Sequence, residues 1–234
     1  MEKIRLDKFI ASQLNISRKE ATIAIKKGLV SVNSCVVKDR SFVFDAGADK
    51  VSFDGQAIEY KKFIYILMNK PKGVLSASSD KRQKTVIDLI PDNLRRPDLF
   101  PVGRLDKDTT GLLIITDDGD FAHKVISPKS MIPKTYIANL DGDITPQMVK
   151  MFEDGVVLAD DYKCKPAILE RICENTARIT ITEGKYHQIK RMFGVVNLGV
   201  NSLHRESIGD IFIPKNLNFG ECVEILSNQV QSLC

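Results

Sequence analysis

The sequence predicts an α+β protein of two domains: a small basic one over residues 1–60 and a larger one over residues 61–234 with a mixed, mostly antiparallel central sheet. Three observations lead there. Strand-like apolar runs outnumber helical ones and follow no regular strand–helix–strand alternation, which speaks against a doubly wound parallel fold. Positive charge gathers at the front. Residues 1–44 carry nine Lys and Arg against four Asp and Glu, while the remainder, with 25 bases and 26 acids, is close to neutral. The texture also changes after Glu59-Tyr60-Lys61-Lys62, where a continuous apolar run begins.

The elements follow in order. Leu6, Phe9, Ile10 and Leu14 recur at helical spacing, so Arg5 to Leu14 reads as a short amphipathic helix. Ser17-Arg18-Lys19-Glu20 is a capping box, in which the serine oxygen and Glu20 satisfy each other's backbone amides. It opens a second helix with Ala21, Ala24 and Ile25 inward, Lys26 and Lys27 in the last turn, and Gly28 as the stop. Short strands are expected at Leu29–Val32, around Val36-Val37 and over Lys50–Phe53. Phe63 to Met68 reads as a buried strand ended by the turn Asn69-Lys70-Pro71-Lys72-Gly73. Thr85 to Ile90 looks helical up to Pro91. Gly111–Thr116, Thr135–Leu140 and Ala177–Thr182 read as strands, and His187 to Phe193 as the start of a helix.

Composition removes several classes. A content of 43% hydrophobic and 27% charged residues suits a folded chain and not a disordered one. Six apolar residues at Phe63–Met68 fall far short of the ~20 that a membrane helix needs, and Met1-Glu2-Lys3-Ile4-Arg5 lacks a signal peptide's apolar core. Cys35, Cys164, Cys173, Cys222 and Cys234 are widely spaced with no CxxC pair, and the chain has three histidines, so neither a disulfide framework nor a zinc site is expected. The expected compartment is reducing and cytoplasmic.

The densest group of reactive residue types is Gly103-Arg104-Leu105-Asp106-Lys107-Asp108-Thr109-Thr110-Gly111-Leu112-Leu113, a polar turn running into an apolar strand. Such loops on a rigid scaffold are where chemistry concentrates. Asp and Thr at a strand entry also cap turns. Asp106-Lys107-Asp108-Thr109-Thr110 fits the D-x-D-x-T pattern of magnesium-dependent phosphohydrolases, with Asp160-Asp161 as a later acidic pair. That reading requires a continuous hydrophobic parallel strand before the first Asp. Pro101-Val102-Gly103-Arg104 breaks one.

Two resemblances organise these residues. Arg5-Leu6-Asp7-Lys8-Phe9, Ser17-Arg18, Ala21, Ile25, Gly28, Val30, Val32 and Asn33 resemble the S4 RNA-binding domain, with Ser34 where that family usually has Gly. The resemblance implies that Arg18, Lys19, Lys26 and Lys27 bind phosphates of structured RNA, contacts that position without reading sequence. The larger block resembles the RsuA-like branch of the pseudouridine synthases. It does so through Asn69-Lys70-Pro71-Lys72-Gly73, Gly103-Arg104-Leu105-Asp106 with Thr109-Thr110-Gly111, Lys134-Thr135-Tyr136, Glu183 to Phe193, and Leu203-His204-Arg205 to Ile208-Gly209.

The implied reaction breaks the C1′–N1 bond of a uridine, turns the base and joins C1′ to C5. It needs no metal and no cofactor. By this resemblance Asp106 is the nucleophile, and a carboxylate suits attack on C1′, addition to the base or deprotonation of the sugar. Lys190 is its cationic partner and Arg191 the alternative. Tyr136 packs on the base and helps to remove the C5 proton. Arg104 fills the gap left by the extruded nucleotide. Lys70, His187 and Gln188 are further expected RNA contacts, and Tyr186-His187-Gln188 points to small-subunit members. The implied substrate is 16S rRNA, at the uridine numbered 516, free or in a small-subunit assembly intermediate. The competing readings are the same chemistry on 23S rRNA and a non-catalytic RNA-binding protein. The chain is expected to act as a monomer.

Overall fold

The computed structural model describes residues 2–233; Met1 and Cys234, one of the five cysteines, lie outside the described residues. The chain divides into two compact units, Met1–Phe63 with Asp92–Asp98, and Ile64–Pro91 with Leu99–Cys234.

In the first unit β1 (Lys3–Arg5) leads into α1 (Leu6–Gln13), and α2 (Arg18–Lys26) follows. The capping box forms as expected. The Glu20 amide donates to the Ser17 hydroxyl at 3.2 Å, and the Ser17 amide donates to the Glu20 carboxylate at 2.8 Å. Four strands, β2 (Val30–Val32), β3 (Cys35–Val36), β5 (Val51–Phe53) and β6 (Gln56–Ile58), form a sheet in the order β3-β2-β5-β6, and β4 (Val43–Asp45) pairs with β1. Asn33 and Ser34 join β2 to β3 with φ of 48° and 67°. Positive φ at both central residues suits the twist of a two-residue hairpin, so Ser34 adopts here the conformation that Gly usually supplies. Leu6, Phe9 and Ile10 of α1 and Ala21 and Ile25 of α2 pack on Val30, Phe44 and Val51 as one core.

In the second unit the strands are β7 (Tyr65–Lys70), β8 (Phe100–Pro101), β9 (Thr110–Thr116), β10 (Lys134–Leu140), β11 (Ile168–Cys173), β12 (Thr176–Ile181), β13 (Val200–Ile208), β14 (Ile211–Phe212) and β15 (Cys222–Ile225). Their order is β11-β12-β10-β13-β9-β7-β15, with β14 on β13 and β8 on β9. Among the described residues all pairs are antiparallel except β9 with β13, where Thr110 faces His204 and Gly111 faces Arg205. The fold is thus the mixed, mostly antiparallel α+β arrangement expected. The helices are α3 (Gly119–Ile126), α4 (Pro146–Asp154), α5 (Gln188–Val195) and the short α6 (Ser227–Val230). Phe152 of α4 and Phe193 of α5, both fully buried, meet with ring centroids 5.1 Å apart over Ala138, Ala177 and Ile179. Burying a phenylalanine side chain contributes roughly 1.5–3 kcal/mol.

One expected helix is corrected. Thr85 to Ile90 contains only a single 3-10 turn, Ile87–Leu89. The Asp88 carboxylate accepts from both the Thr85 amide and hydroxyl, and Thr85 bridges to Leu75. Ile90 is extended before Pro91, as the proline ring requires.

Candidate active site

The loop between β8 and β9 carries Arg104, Leu105 and Asp106, and Lys70 shapes it from below. The Lys70 ammonium is fully buried at the end of β7 and donates to the carbonyls of Thr109 (2.9 Å), Pro71 (3.1 Å), Asp106 (3.2 Å) and Lys107 (3.4 Å). Ser76 adds a second clamp: its hydroxyl donates to the Leu105 carbonyl at 2.9 Å and accepts from the Leu105 amide at 3.1 Å. The expectation that Lys70 touches RNA is therefore corrected. Its donors are spent on backbone carbonyls, and burial pulls its pKa down to about 8 despite Asp108 and Asp106 nearby.

Fixed in this way, Asp106 presents a carboxylate about 30% exposed, with His187 Nε2 at 3.5 Å and Lys190 Nζ at 3.7 Å. Lys190 comes from α5 and lies closer to Asp108, donating to both of its oxygens at 2.7 Å. That bond holds the Asp108 carboxyl below the usual carboxylate range, against the opposing pull of burial. His187 precedes α5 in a left-handed conformation (φ 48°) and stacks on the exposed Tyr186 ring at 3.8 Å.

Tyr136, Leu203, Ile181 and Thr109 line the same cleft as Asp106, with Arg104 exposed at its rim. Thr109 is buried, and its hydroxyl has no partner among the described residues. A register shift in the β10–β13 pairing, between Thr135 and Tyr136, sets Tyr136 opposite Arg205. Such bulges re-aim side chains beside sites. The Arg205 guanidinium is 3% exposed; Nε donates to the Leu112 carbonyl at 2.7 Å and Nη1 to the Tyr136 hydroxyl at 3.4 Å.

Two more expected residues are corrected. Arg191 faces away from this cleft and pairs with Asp160. Successive helical residues point about 100° apart, so Lys190 and Arg191 cannot both reach Asp106. Gln188 lines the cleft but is buried, with its amide fully engaged. Nε2 donates to Glu183 at 2.8 Å and Oε1 accepts from the Lys185 amide at 2.9 Å. It braces the turn before α5 instead of contacting RNA.

The sequence shows Arg205, Lys134 and Thr109 as members of motifs without assigning them a place in the site, and Ser76 carries no motif at all. The signal for Arg205 was present: Leu203, Arg205 and Ser207 alternate along β13 and all point inward.

In the first unit a concavity is lined by Arg5, Arg18, Lys19, Lys26 and Arg40 around Asp7. Asp7 is 4% exposed and pairs with Arg5 at 3.0 Å and with Arg18 at 3.3 Å, fixing both guanidinium groups. Arg5 and Arg40 were not singled out from the sequence, and Lys27 is exposed but outside this concavity. Among the described residues no cluster of three or more His, Cys, Asp or Glu could hold a metal ion, and no helix is long and apolar enough to cross a membrane.

A carboxylate beside an ammonium, at the mouth of a cleft walled by a phenol and aliphatic side chains, is equipment for nucleophilic or acid–base chemistry. Residues 64–194 match the RNA pseudouridylate synthase family and residues 4–49 the S4 domain, and the chain belongs to the RNA pseudouridylate synthases. It is an isomerase of uridine in RNA with an S4 RNA-binding domain. It is 40% identical over 231 residues to ribosomal small subunit pseudouridine synthase A of Vibrio cholerae, covering 98% of this chain and 99% of that one. The protein of the same name from Escherichia coli K12 is 37% identical over 232 residues, with 98% and 100% covered. A crystal structure of a pseudouridylate synthase superposes with a TM-score of 0.69 at 33% identity, over 99% of this chain and 100% of that one.

Proposed function

We propose that the chain isomerises one uridine of 16S rRNA, at the position numbered 516, with Asp106 as nucleophile acting on a nucleoside swung out of its helix. One observation carries the reading: the Asp106 carboxylate opens into the cleft that also holds Tyr136, with Lys190 and His187 within 4 Å of it. The C1′–N1 bond breaks with its electron pair going to the base. Asp106 holds the detached fragment, directly or through the base, while the base turns. C5 then bonds to C1′, the C5 proton leaves and N1 takes up a proton. Nothing is oxidised and no group is gained, so the residues present suffice.

Lys190 offsets the charge on Asp106, and Tyr136 offers a flat face and an oxygen able to move a proton. Leu203 and Ile181 supply the apolar wall. Arg104, exposed at the rim, takes the place vacated by the base, whose extrusion costs a few kcal/mol. Arg18, Lys19 and Lys26, joined by Arg5 and Arg40, hold rRNA phosphates, with Lys27 at the edge. The small-subunit target is supported by the relatives from Vibrio cholerae and Escherichia coli, which match this chain nearly end to end.

The test is Asp106→Asn, assayed by tritium release from C5-labelled uridine in rRNA. Release should disappear while RNA affinity stays within about twofold of the parent. Turnover at the parent rate refutes the nucleophile. Mapping pseudouridines in both rRNAs of a strain lacking the protein tests the target, and a missing modification in 23S rRNA overturns the 16S assignment.

A further inference from the structure

On the side of Tyr136 away from Asp106 lies a second cavity, of about 230 Å³, that the reaction just described does not use. It shares Arg104, Tyr136, Gly184 and Lys185 with the cleft and is otherwise distinct, closed by Val125, Ile126, Ser127 and Pro128 at the end of α3. Its charge is one-sided. Arg104, Lys134, Lys165, Lys185 and Arg205 all line it, against the single carboxylate of Glu183.

Of these cations Glu183 interacts with the Lys165 ammonium, through charge alone. Its two oxygens accept from the Tyr162 hydroxyl (2.7 Å), the Lys165 amide (3.0 Å) and the Gln188 amide (2.8 Å). Burial pushes its pKa up, but those bonds outweigh burial and leave it below the usual range. Among the described residues the Lys134 ammonium donates to the Ile132 carbonyl at 3.0 Å alone, and Lys165 to the Pro128 carbonyl at 3.0 Å and the Met131 sulfur. Arg205 is 3% exposed, and its buried Nη2 has no hydrogen-bond partner among the described residues. A buried guanidinium nitrogen with an unused donor, beside two ammonium groups and no free counter-charge, is costly unless something occupies the space.

We propose that this cavity is an oxyanion site that holds a backbone phosphate of the substrate strand next to the extruded uridine, gripped by Lys134, Lys165 and Arg205. A phosphodiester brings the negative charge and the acceptor oxygens that the three side chains lack. It also fits the placement, because Tyr136 forms a wall of both spaces and Arg205, which lines the cavity, donates to the Tyr136 hydroxyl. A phosphate seated here links strand capture to the tyrosine that faces the base. Burial, reinforced by Arg205 and Lys165, draws the Lys134 pKa down to about 8, and an incoming phosphate reverses that. The charged and titratable groups around Lys134 are Arg205, Lys165, Lys185, Arg104, Glu183, Tyr136 and Tyr162, and the hydrogen bond to Glu183 pushes the Tyr162 phenol up to about 12. That the phosphate belongs to the rRNA strand rests on the proposed function; that the cavity takes an oxyanion does not.

The experiment uses the full chain in two arms. Inorganic phosphate is titrated into the protein while the Lys134 side chain is followed by NMR. Its titration midpoint should move up from about 8, and Lys165→Gln should weaken the response. An unmoved midpoint overturns the oxyanion site. Lys134→Gln and Lys165→Gln are then assayed on rRNA, with Lys150→Gln, a surface lysine paired with Asp154, as control. Each cavity variant should raise KM about tenfold and shallow the salt dependence of binding by about one charge, and Lys134→Arg should restore both. A fall in kcat with KM and the salt slope unmoved means that Lys134 only supports the fold of β10, and overturns the proposal. If phosphate shifts Lys134 but RNA binding ignores both variants, the ligand is a free anion, and the strand assignment falls. Neither outcome touches the nucleophile, which Asp106→Asn tests separately.

Discussion

Replacing Gly111 by alanine should damage stability and catalysis together, and by amounts that the geometry sets. Gly111 sits where β9 meets β13 in parallel. A Cβ there falls 2.3 Å from the Arg205 carbonyl oxygen and 2.5 Å from its nitrogen, both backbone atoms that cannot rotate aside. The φ of +109° is itself foreign to alanine. The backbone conformation costs about 1–3 kcal/mol and the forced separation a further 1–3 kcal/mol, so a total of about 4 kcal/mol is expected. For a protein of this size that lowers Tm by about 8–16 °C. Relief requires β9 to move by about an ångström from β13, carrying the Asp106 loop away from Tyr136. A displacement of that size costs roughly a hundredfold in rate. Urea unfolding and single-turnover tritium release measure the two effects on one preparation. A Gly111→Ala protein with parental stability and rate would falsify the claim that this close approach positions the nucleophile.

Two other perturbations separate support from contact. Lys70→Met leaves four loop carbonyls without their donor and should cost about 2 kcal/mol and lower kcat far more than it raises KM. With a folded pKa of about 8 against 10.5 ordinarily, the unfolded chain binds more protons between those values. Lys70 therefore makes stability rise from pH 8 to about 10.5, and the variant should lose that rise in pH-dependent unfolding; an identical profile refutes the burial argument. In the first unit, Arg5→Ala with Arg40→Ala should weaken RNA binding and reduce its salt slope by about two charges in filter-binding titrations, and an unchanged slope removes both residues from the interface.

The legible parts of the structure were those decided by neighbours in sequence. Ser17 and Glu20 are three residues apart, and the helix start they encode is where α2 begins. Apolar runs and their bounds placed β9, β10 and β12 to within a residue. Asp106, Tyr136 and Lys190 were visible through motifs, and the fold brings all three to one cleft. Residue type misled where burial reversed its meaning. Lys70 and Gln188 carry polar groups that ordinarily face solvent, yet Lys70 is consumed by the distant carbonyls of Asp106, Lys107 and Thr109, and Gln188 by Glu183 and the Lys185 amide just before it. Thr85–Ile90 was misread because Pro91 forces Ile90 into an extended conformation and leaves room for a single turn. The helices α3 and α4 were overlooked, although Asp118 and Thr145-Pro146 are ordinary starts: Asp118 accepts from the Phe121 amide and Thr145 from the Met148 amide. The second cavity was beyond sequence reasoning, since Lys134, Lys165 and Arg205 meet only through sheet order.

The parallel pairing of β9 with β13 has two rungs, and it joins the part of the sheet that bears Asp106 to the part that bears Tyr136 and precedes Lys190. Opening this seam would part Asp106 from Tyr136 and Lys190, so the three side chains share a cleft only while the two halves of the sheet stay joined.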